Sequence, residues 1–414
     1  MYPTQLHSYL LWRSSVEPNP QQLAGKRYTA AASVVPAIMC GIFTFGWYAS
    51  VVLLNCLFGA FIADVLGRRV IYRREKELFL KRDGVWLLTG LLVGLMLPPA
   101  IPWYWAMTGS FVAVLAGKYL LQVDGTPLFQ PALLGLLALH ILCPLVTAVG
   151  SGTPPAPNPM NPRSNWPVLD RVSNLEAPAE GNVVWPMIKN FFGGDIRITM
   201  PRHRSHDLFK VSTAEALTGP RPQDLVAEMP SRDLSRQTGA TREVNESYDW
   251  LKMLLGYLTG TIGASSGMAL LMGIFLLVFS RTLSPLVPLS ALLTLLTGLY
   301  LAGWLFGQGA EARVMYGNIP IHLLSGGTLL GMFYFAADPA ISPRSKAGKV
   351  YAGIFFGLME LIFRVGFRWS DGLPLTILLT QSMSFVIDQW LAPPRASSAS
   401  SVHIGISQSS LGRL

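Results

Sequence analysis

Charged side chains are scarce in the long apolar stretches of this chain, so the few that fall there are the first places to look for chemistry. Glu360 and Arg364 stand four residues apart in an apolar run, with the acid N-terminal to the base. On a helix that spacing puts both on one face, in the order that favours an ion pair. Two uses follow: mutual neutralisation near the outer interface, or part of an ion relay. Asp338, just before Pro339, offers either an ion-path carboxylate or a cap for the turn it begins. Asp388 ends another apolar run and anchors it. Ser265 and Ser266 sit in G-T-I-G-A-S-S-G (260–267), whose small polar residues suit unwound backbone. At a helix N-terminus such hydroxyls donate to an anionic or polar ligand.

Other reactive residue types form no recognisable constellation. His140 and His322 lie in apolar runs and read as hydrogen-bonded core histidines. His203 and His206, in P-R-H-R-S-H, have no carboxylate or cysteine partner at zinc spacing. The three cysteines, Cys40, Cys56 and Cys143, each sit inside an apolar run and form no disulfide framework. Trp103, Trp105, Trp369 and Trp390 fit the aromatic belts of a membrane interface. The sequence has no P-loop, Rossmann fingerprint, catalytic triad or HExxH pattern.

The elements that must position these residues follow from composition. Of 414 residues, 51% are hydrophobic and 13% charged, and the mean hydropathy is +0.40. Soluble globular chains carry about 25% charged residues, so a cytosolic enzyme and a disordered chain are both excluded. Ten apolar stretches approach the length of a membrane span, at 29–46, 49–66, 85–100, 103–121, 132–149, 258–280, 285–305, 320–337, 348–366 and 372–388. No cleavable signal peptide is expected, because residues 1–28 lack an apolar core followed by a small-residue cleavage site.

Charge sets the orientation. The loop after the second stretch holds Arg68, Arg69, Arg73, Arg74, Lys76, Lys81 and Arg82, and short basic loops stay cytoplasmic. With that loop inside, both termini are cytoplasmic. Outside the long central loop, 17 basic residues then fall inside and four outside: Lys252, Arg313, Arg364 and Arg368. The central 151–248 segment carries 11 basic and 11 acidic residues and 12 of the 30 prolines. It reads as a non-cytoplasmic insertion with a linker-like start, one candidate strand at 195–200 and helical periodicity over 222–247. The surplus of nine positive charges therefore belongs to the cytoplasmic face, and nucleic acid is not an expected partner.

Five stretches precede the insertion and five follow it, so the two halves enter the membrane in opposite directions, as in inverted repeats. L-L-T-G-L-L-V-G (87–94) and L-L-S-G-G-T-L-L-G (323–331) echo one another, with glycines four apart at Gly90/Gly94 and Gly327/Gly331; Gly353/Gly357 repeats the spacing. Such glycines serve either close helix packing or a repeat signature. Both third stretches end in breakers, L-P-P-A-I-P (97–102) and A-A-D-P (336–339). Broken backbone at membrane depth needs outside partners.

Several of these segments together resemble one family. They are I-H-L-L-S-G-G-T-L-L-G-M-F-Y-F-A-A-D-P (321–339), G-L-M-L-P-P-A-I-P-W (94–103), F-Q-P-A-L-L-G (129–135), F-R-V-G-F-R-W-S-D-G (363–372) and I-L-L-T-Q-S-M-S-F-V-I-D (377–388). They are similar to the NqrB/RnfD family, the membrane subunits of the ion-pumping Rnf and Nqr electron-transfer complexes. The resemblance covers about 26–150 and 250–390, and the family usually has Asn where Gln130 stands. It implies FMN joined through its phosphate to a threonine in a motif like D-x-x-(S/T)-G-A-T-P before the sixth span. It also implies electron flow coupled to Na⁺ or H⁺ movement.

The matching region here is E-A-L-T-G-P-R-P (215–222). Aligned without gaps, Thr218 and Gly219 fit the S/T-G pair and Arg221, which has no hydroxyl, takes the acceptor position. Shifted by three, Thr218 becomes the acceptor but Glu215 and Ala216 replace the S/T-G pair. The family's I-G-E-T-S reads I-G-A-S-S here, so Ala264 stands for a glutamate.

The expectation is an all-α integral membrane protein of about ten transmembrane helices in two inverted five-helix halves. Its parts are a cytoplasmic segment 1–28, membrane halves 29–150 and 249–390, the insertion 151–248 and a cytoplasmic tail 391–414. Thr218, Ser265 and Ser266 are the candidate flavin-binding residues, for covalent FMN or for noncovalent flavin such as riboflavin. Asp338, Glu360 and Arg364 are the ion-path candidates, and no metal site is expected. Partners would be the other membrane and flavoprotein subunits, the lipid bilayer of the inner membrane, and Na⁺ or H⁺. The alternative is a divergent homologue without covalent flavin, acting as a scaffold or channel-like transporter.

Overall fold

The computed structural model describes residues 20–71, 83–99, 101–123, 126–151, 250–255, 260–306, 319–367 and 372–391. Helix forms within each of the ten apolar stretches. A segment that is apolar all round satisfies its own backbone only as a helix when water is absent. The helices of the first half are α1 (Pro20–Ser33), α2 (Val35–Phe45), α3 (Trp47–Ile71), α4 (Val85–Met96), α5 (Trp103–Val114) and α6 (Pro131–Ser151). Helix α1 starts at Pro20, inside the segment assigned to the N-terminal tail, and runs almost end to end into α2. A π-helical turn (Leu115–Leu120) extends α5, and a two-residue antiparallel ladder, Gln122 opposite Pro127 and Val123 opposite Thr126, leads into α6.

The second half is more interrupted. It comprises α7 (Trp250–Leu255), a 3₁₀ turn (Ile262–Ala264), α8 (Gly267–Phe279) and α9 (Leu286–Phe306). Its third element is broken into α10 (Ile319–Leu324), α11 (Thr328–Leu330) and a π-helical turn (Gly331–Ala336). Helix α12 (Lys346–Leu361) runs into another π-helical turn (Ile362–Gly366), and α13 (Leu373–Leu391) follows.

The interior is built around α4 and the broken 319–336 element. Every residue from Thr89 to Met96 is buried, as are Thr328–Met332 and Tyr334–Ala336. Helices α3, α5 and α6 pack round α4, while α9 and α13 pack on α12. The halves meet where α8 and the 3₁₀ turn lie on α1, α2 and α4, and where α13 lies on α6. The perimeter is apolar: Phe58 and Phe61 of α3, Phe275 and Phe279 of α8, and Leu293, Tyr300 and Trp304 of α9 are all exposed. Inside lie Asp64, Glu360, Arg364, Gln381 and Asp388. Apolar outside and ionic inside is the reverse of a soluble protein and suits a lipid surround. By length and composition Gln22–Phe45, Trp47–Val70 and Leu286–Leu305 are, among the described residues, long and apolar enough to cross a membrane; Val85–Met96, Pro131–Leu142, Gly267–Phe279 and Leu373–Asp388 are shorter apolar stretches. The chain is a helical membrane protein.

The glycine pairs divide by role. A Cβ on Gly357 would lie 2.7 Å from Ala291 O and 2.8 Å from Thr294 Cβ of α9, so the α9–α12 contact needs glycine there. Gly90 similarly brings α4 within reach of the Cys56 carbonyl of α3. Gly327 does something else: its φ of 75° ends the helical path. The two echoing segments thus fold differently, 87–94 within an unbroken helix and 323–331 across a break.

Candidate functional site

The break in the 319–336 element brings a buried ion pair onto the carbonyls that the break frees. Gly326 and Gly327 take φ values of 68° and 75°, which glycine adopts without a Cβ penalty. A helix ending here leaves carbonyls without intrahelical donors. The Thr328 hydroxyl donates to His322 O at 3.1 Å and to Ser325 O at 3.2 Å, and the Ser325 hydroxyl donates to Ile321 O. The same two carbonyls of His322 and Ser325 also receive Arg364, from Nη1 at 2.8 Å and Nη2 at 3.3 Å. On its other edge Arg364 Nε lies 2.5 Å from Glu360 Oε1. The Glu360 side chain is 0% exposed and that of Arg364 5%, so the pair is buried among helices. A planar guanidinium fork can serve a carboxylate and two carbonyls at once, which an ammonium cannot do with fixed geometry.

The second break, at 260–267, touches the first half directly. Ile262 N–H donates to Leu97 O at 3.1 Å, at the point where L-P-P-A-I-P ends α4. Ser266 caps α8: its hydroxyl accepts from Ala269 N–H at 3.3 Å and donates to Leu254 O at 3.1 Å. That hydroxyl is committed to the fold. Ser265 Oγ and Thr261 Oγ1 are buried and have no hydrogen-bond partner among the described residues. Ala264, where the family usually has glutamate, is buried too.

A polar seam joins the halves around the π-helical turn 331–336. Gln130 N–H donates to Gln381 Oε1 at 3.1 Å, Gln381 Nε2 donates to Phe335 O at 3.2 Å, and Gln130 Nε2 donates to Tyr334 O at 3.0 Å. Ser33 Oγ donates to the Tyr334 hydroxyl at 3.0 Å. Beyond the seam Asp338 Oδ1 accepts from Ala340 N–H at 2.9 Å, which makes it the cap of its own turn. Asp388 Oδ1 accepts from Arg344 N–H at 3.0 Å, tying the end of α13 to the loop before α12. Of the three ion-path candidates, Glu360 and Arg364 thus share the break at 325–327, while Asp338 belongs to the turn that follows the π-helical segment.

Sequence reasoning missed one charged cluster. Asp64 of α3 receives Lys118 Nζ at 2.6 Å, Arg68 Nη2 at 2.9 Å and the Tyr119 hydroxyl at 2.7 Å. Asp83 closes the ring, 2.6 Å from Lys118 and 3.5 Å from Arg68. Two acids and two bases neutralise one another where α3, α4 and the π-helical end of α5 meet. The signal was present in part, because Asp64 and Arg68 have the same four-residue spacing as Glu360 and Arg364.

The remaining candidates scatter. Trp105 is 9% exposed and belongs to the core, which corrects its assignment to an interface belt, while Trp103 and Trp390 are exposed. His140 Nδ1 lies 2.8 Å from Leu136 O, and His322 is buried. No group of metal-ligating side chains occurs among the described residues. Thr218, Arg221, His203, His206, Trp369 and the 195–200 and 222–247 segments lie outside the described residues.

Broken helices, buried ion pairs and an apolar perimeter define a helical membrane protein with polar junctions in its interior. The chain belongs to the NQR2, RnfD, RnfE family, whose model matches residues 18–397. It is 28% identical over 342 residues to the type-D subunit of the ion-translocating oxidoreductase complex of Rhodobacter capsulatus, covering 82% of this chain and 80% of that protein. It is 26% identical to the protein of the same name from Stutzerimonas stutzeri, over 88% of this chain and 89% of the relative. The type-D subunit of the proton-translocating ferredoxin:NAD(+) oxidoreductase complex of Clostridium ljungdahlii is 23% identical, over 88% and 89%.

Proposed function

We propose that this chain is the membrane subunit of an Rnf-type ion-translocating electron-transport complex, in which flavin-mediated electron transfer is coupled to Na⁺ or H⁺ movement. The reading takes ten spans in two inverted halves, both termini cytoplasmic, in the inner membrane, with 151–248 outside. Other membrane and flavoprotein subunits supply the donor and acceptor sites. The observation that carries it is the family match over 18–397, which takes in both membrane halves and the insertion. The junction of the halves supports it. Ser265 Oγ and Thr261 Oγ1, buried beside the Ile262–Leu97 contact with no partner among the described residues, suit a small polar ligand or a dehydrated ion. Ser266 is occupied by its cap and does not fit that role. A bound flavin would carry electrons one or two at a time; the two residues that the alignments offer for the acceptor position, Arg221 and Thr218, lie outside the described residues.

A second reading keeps the fold without covalent flavin, as a scaffold or channel-like transporter. It is favoured by Arg221 at the acceptor position and by Ala264. Co-expression with a flavin transferase, followed by a denaturing gel viewed for flavin fluorescence, separates the two. A fluorescent band lost in Thr218→Ala establishes the covalent site. A dark band, with flavin released when the native complex is denatured, leaves noncovalent flavin. No flavin in either measurement overturns the redox reading in favour of the second.

A further inference from the structure

We propose that the break at 325–327 is a monovalent-cation site that the fold fills with its own cation, the guanidinium of Arg364. Three observations meet there. The groups that meet the guanidinium are all oxygen: the carbonyls of His322 and Ser325 and the carboxylate of Glu360. Oxygen-only sets select hard cations. The carbonyls end a short helix inside a larger broken element, and such carbonyl ends bind Na⁺ or H⁺ in membrane transporters. Finally, the positive group is tethered and buried. Arg364 donates to both carbonyls while Glu360, one turn earlier on α12, supplies the balancing charge. By helix rise, Glu360 lies about 21 Å along α12 from its cytoplasmic start, and Arg364 lies beyond it in the π-helical turn. In the proposed topology, the site is thus in the outer third of the membrane.

The consequence is specific. An arginine cannot leave the site as an ion can, so this break holds its geometry permanently and the transported ion takes another route. Glu360 and Arg364 are then positioning residues that set the shape of the 319–336 element, not stations on the ion path. The site keeps this character whether or not the chain carries flavin.

Removing the tethered cation should expose the vacancy. The full chain is purified in nanodiscs as wild type, Arg364→Ala, and Arg364→Ala with Glu360→Gln. Each is melted across a series of NaCl concentrations, with N-methylglucamine chloride holding ionic strength constant. Arg364→Ala should melt below wild type without sodium and recover saturably, by several degrees, as sodium replaces the guanidinium. The double variant keeps every other cation site but lacks the carboxylate, so it should show only the sodium response of wild type. Arg364→Lys, which restores a tethered charge, should also respond like wild type. Equal sodium responses in Arg364→Ala and the double variant would overturn the proposal and leave Arg364 as an ordinary helix cap. If Arg364→Ala does not accumulate, Arg364→Gln takes its place in the same comparison, because its amide can still bond one carbonyl.

Discussion

Neutralising Asp64 should be among the more damaging single changes in the first half. Its carboxylate, 6% exposed, holds Lys118 at 2.6 Å and Arg68 at 2.9 Å and accepts from the Tyr119 hydroxyl. Asp64→Asn keeps the shape but leaves two cations, each 12% exposed, facing the single charge of Asp83. Removing one partner of a buried pair costs about 3–5 kcal/mol, because the stranded charge has lost its water without compensation. Asp83 is 27% exposed and reaches both bases, so water and the remaining acid soften the loss to the lower end, about 3 kcal/mol. For a chain of this size that lowers the melting temperature by roughly 3–4 °C. The assay is thermal unfolding of the full chain in detergent, followed by loss of the monodisperse peak on size-exclusion chromatography. Asp64→Asn combined with Lys118→Met returns the cluster to one acid and one base. The pair should therefore lose less than the sum of the single changes, by about 1 kcal/mol or more. An Asp64→Asn protein that melts within about 1 °C of wild type, or strict additivity in the double variant, would show that the cluster is a solvated surface feature and that the burial argument fails.

Two further outcomes test the packing and the topology. Gly357→Leu places its first carbon against Ala291 O, a backbone atom of α9 that cannot swing aside. It should cost at least about 1–3 kcal/mol and reduce the folded yield, whereas Gly25→Ala, with nothing within 4 Å of the added carbon, should melt at or slightly above wild type. Reporter fusions check the orientation. A periplasm-dependent phosphatase inserted within 151–248 should be active and one fused after 391 inactive, and the reverse pattern would invert the proposed topology.

The elements of this protein were legible because their signals are local. A run of apolar residues with glycine and proline punctuation specifies a helix and where it stops, so the ends of α4 at 97–102 and of the π-helical turn at 336 fall where the breakers stand. The Glu360–Arg364 pair was legible for the same reason, since one helical turn brings the residues together whatever surrounds them. The order of long apolar motifs likewise carried the family resemblance.

What the local signal lacked was the identity of partners. Trp105 is amphipathic like Trp103, yet it turns into the core while its neighbour stays out. Lys118 reads as one more cytoplasmic charge until α3 and α5 pack and deliver it to Asp64, 54 residues away. Arg364 reads as half of an ion pair until the break in 319–336, 42 residues earlier, offers it two carbonyls. Nearly every helix here is apolar on most of its faces, so hydrophobic pattern does not choose among neighbours. Close glycine contacts and the need to satisfy each buried charge and freed carbonyl make that choice, and those are settled only in three dimensions. The sequence by itself determined a helical membrane protein of this family and the positions of its breaks. Tertiary packing alone decided which side chains fill those breaks, because a buried donor and acceptor far apart in the chain meet only when the helices between them have packed.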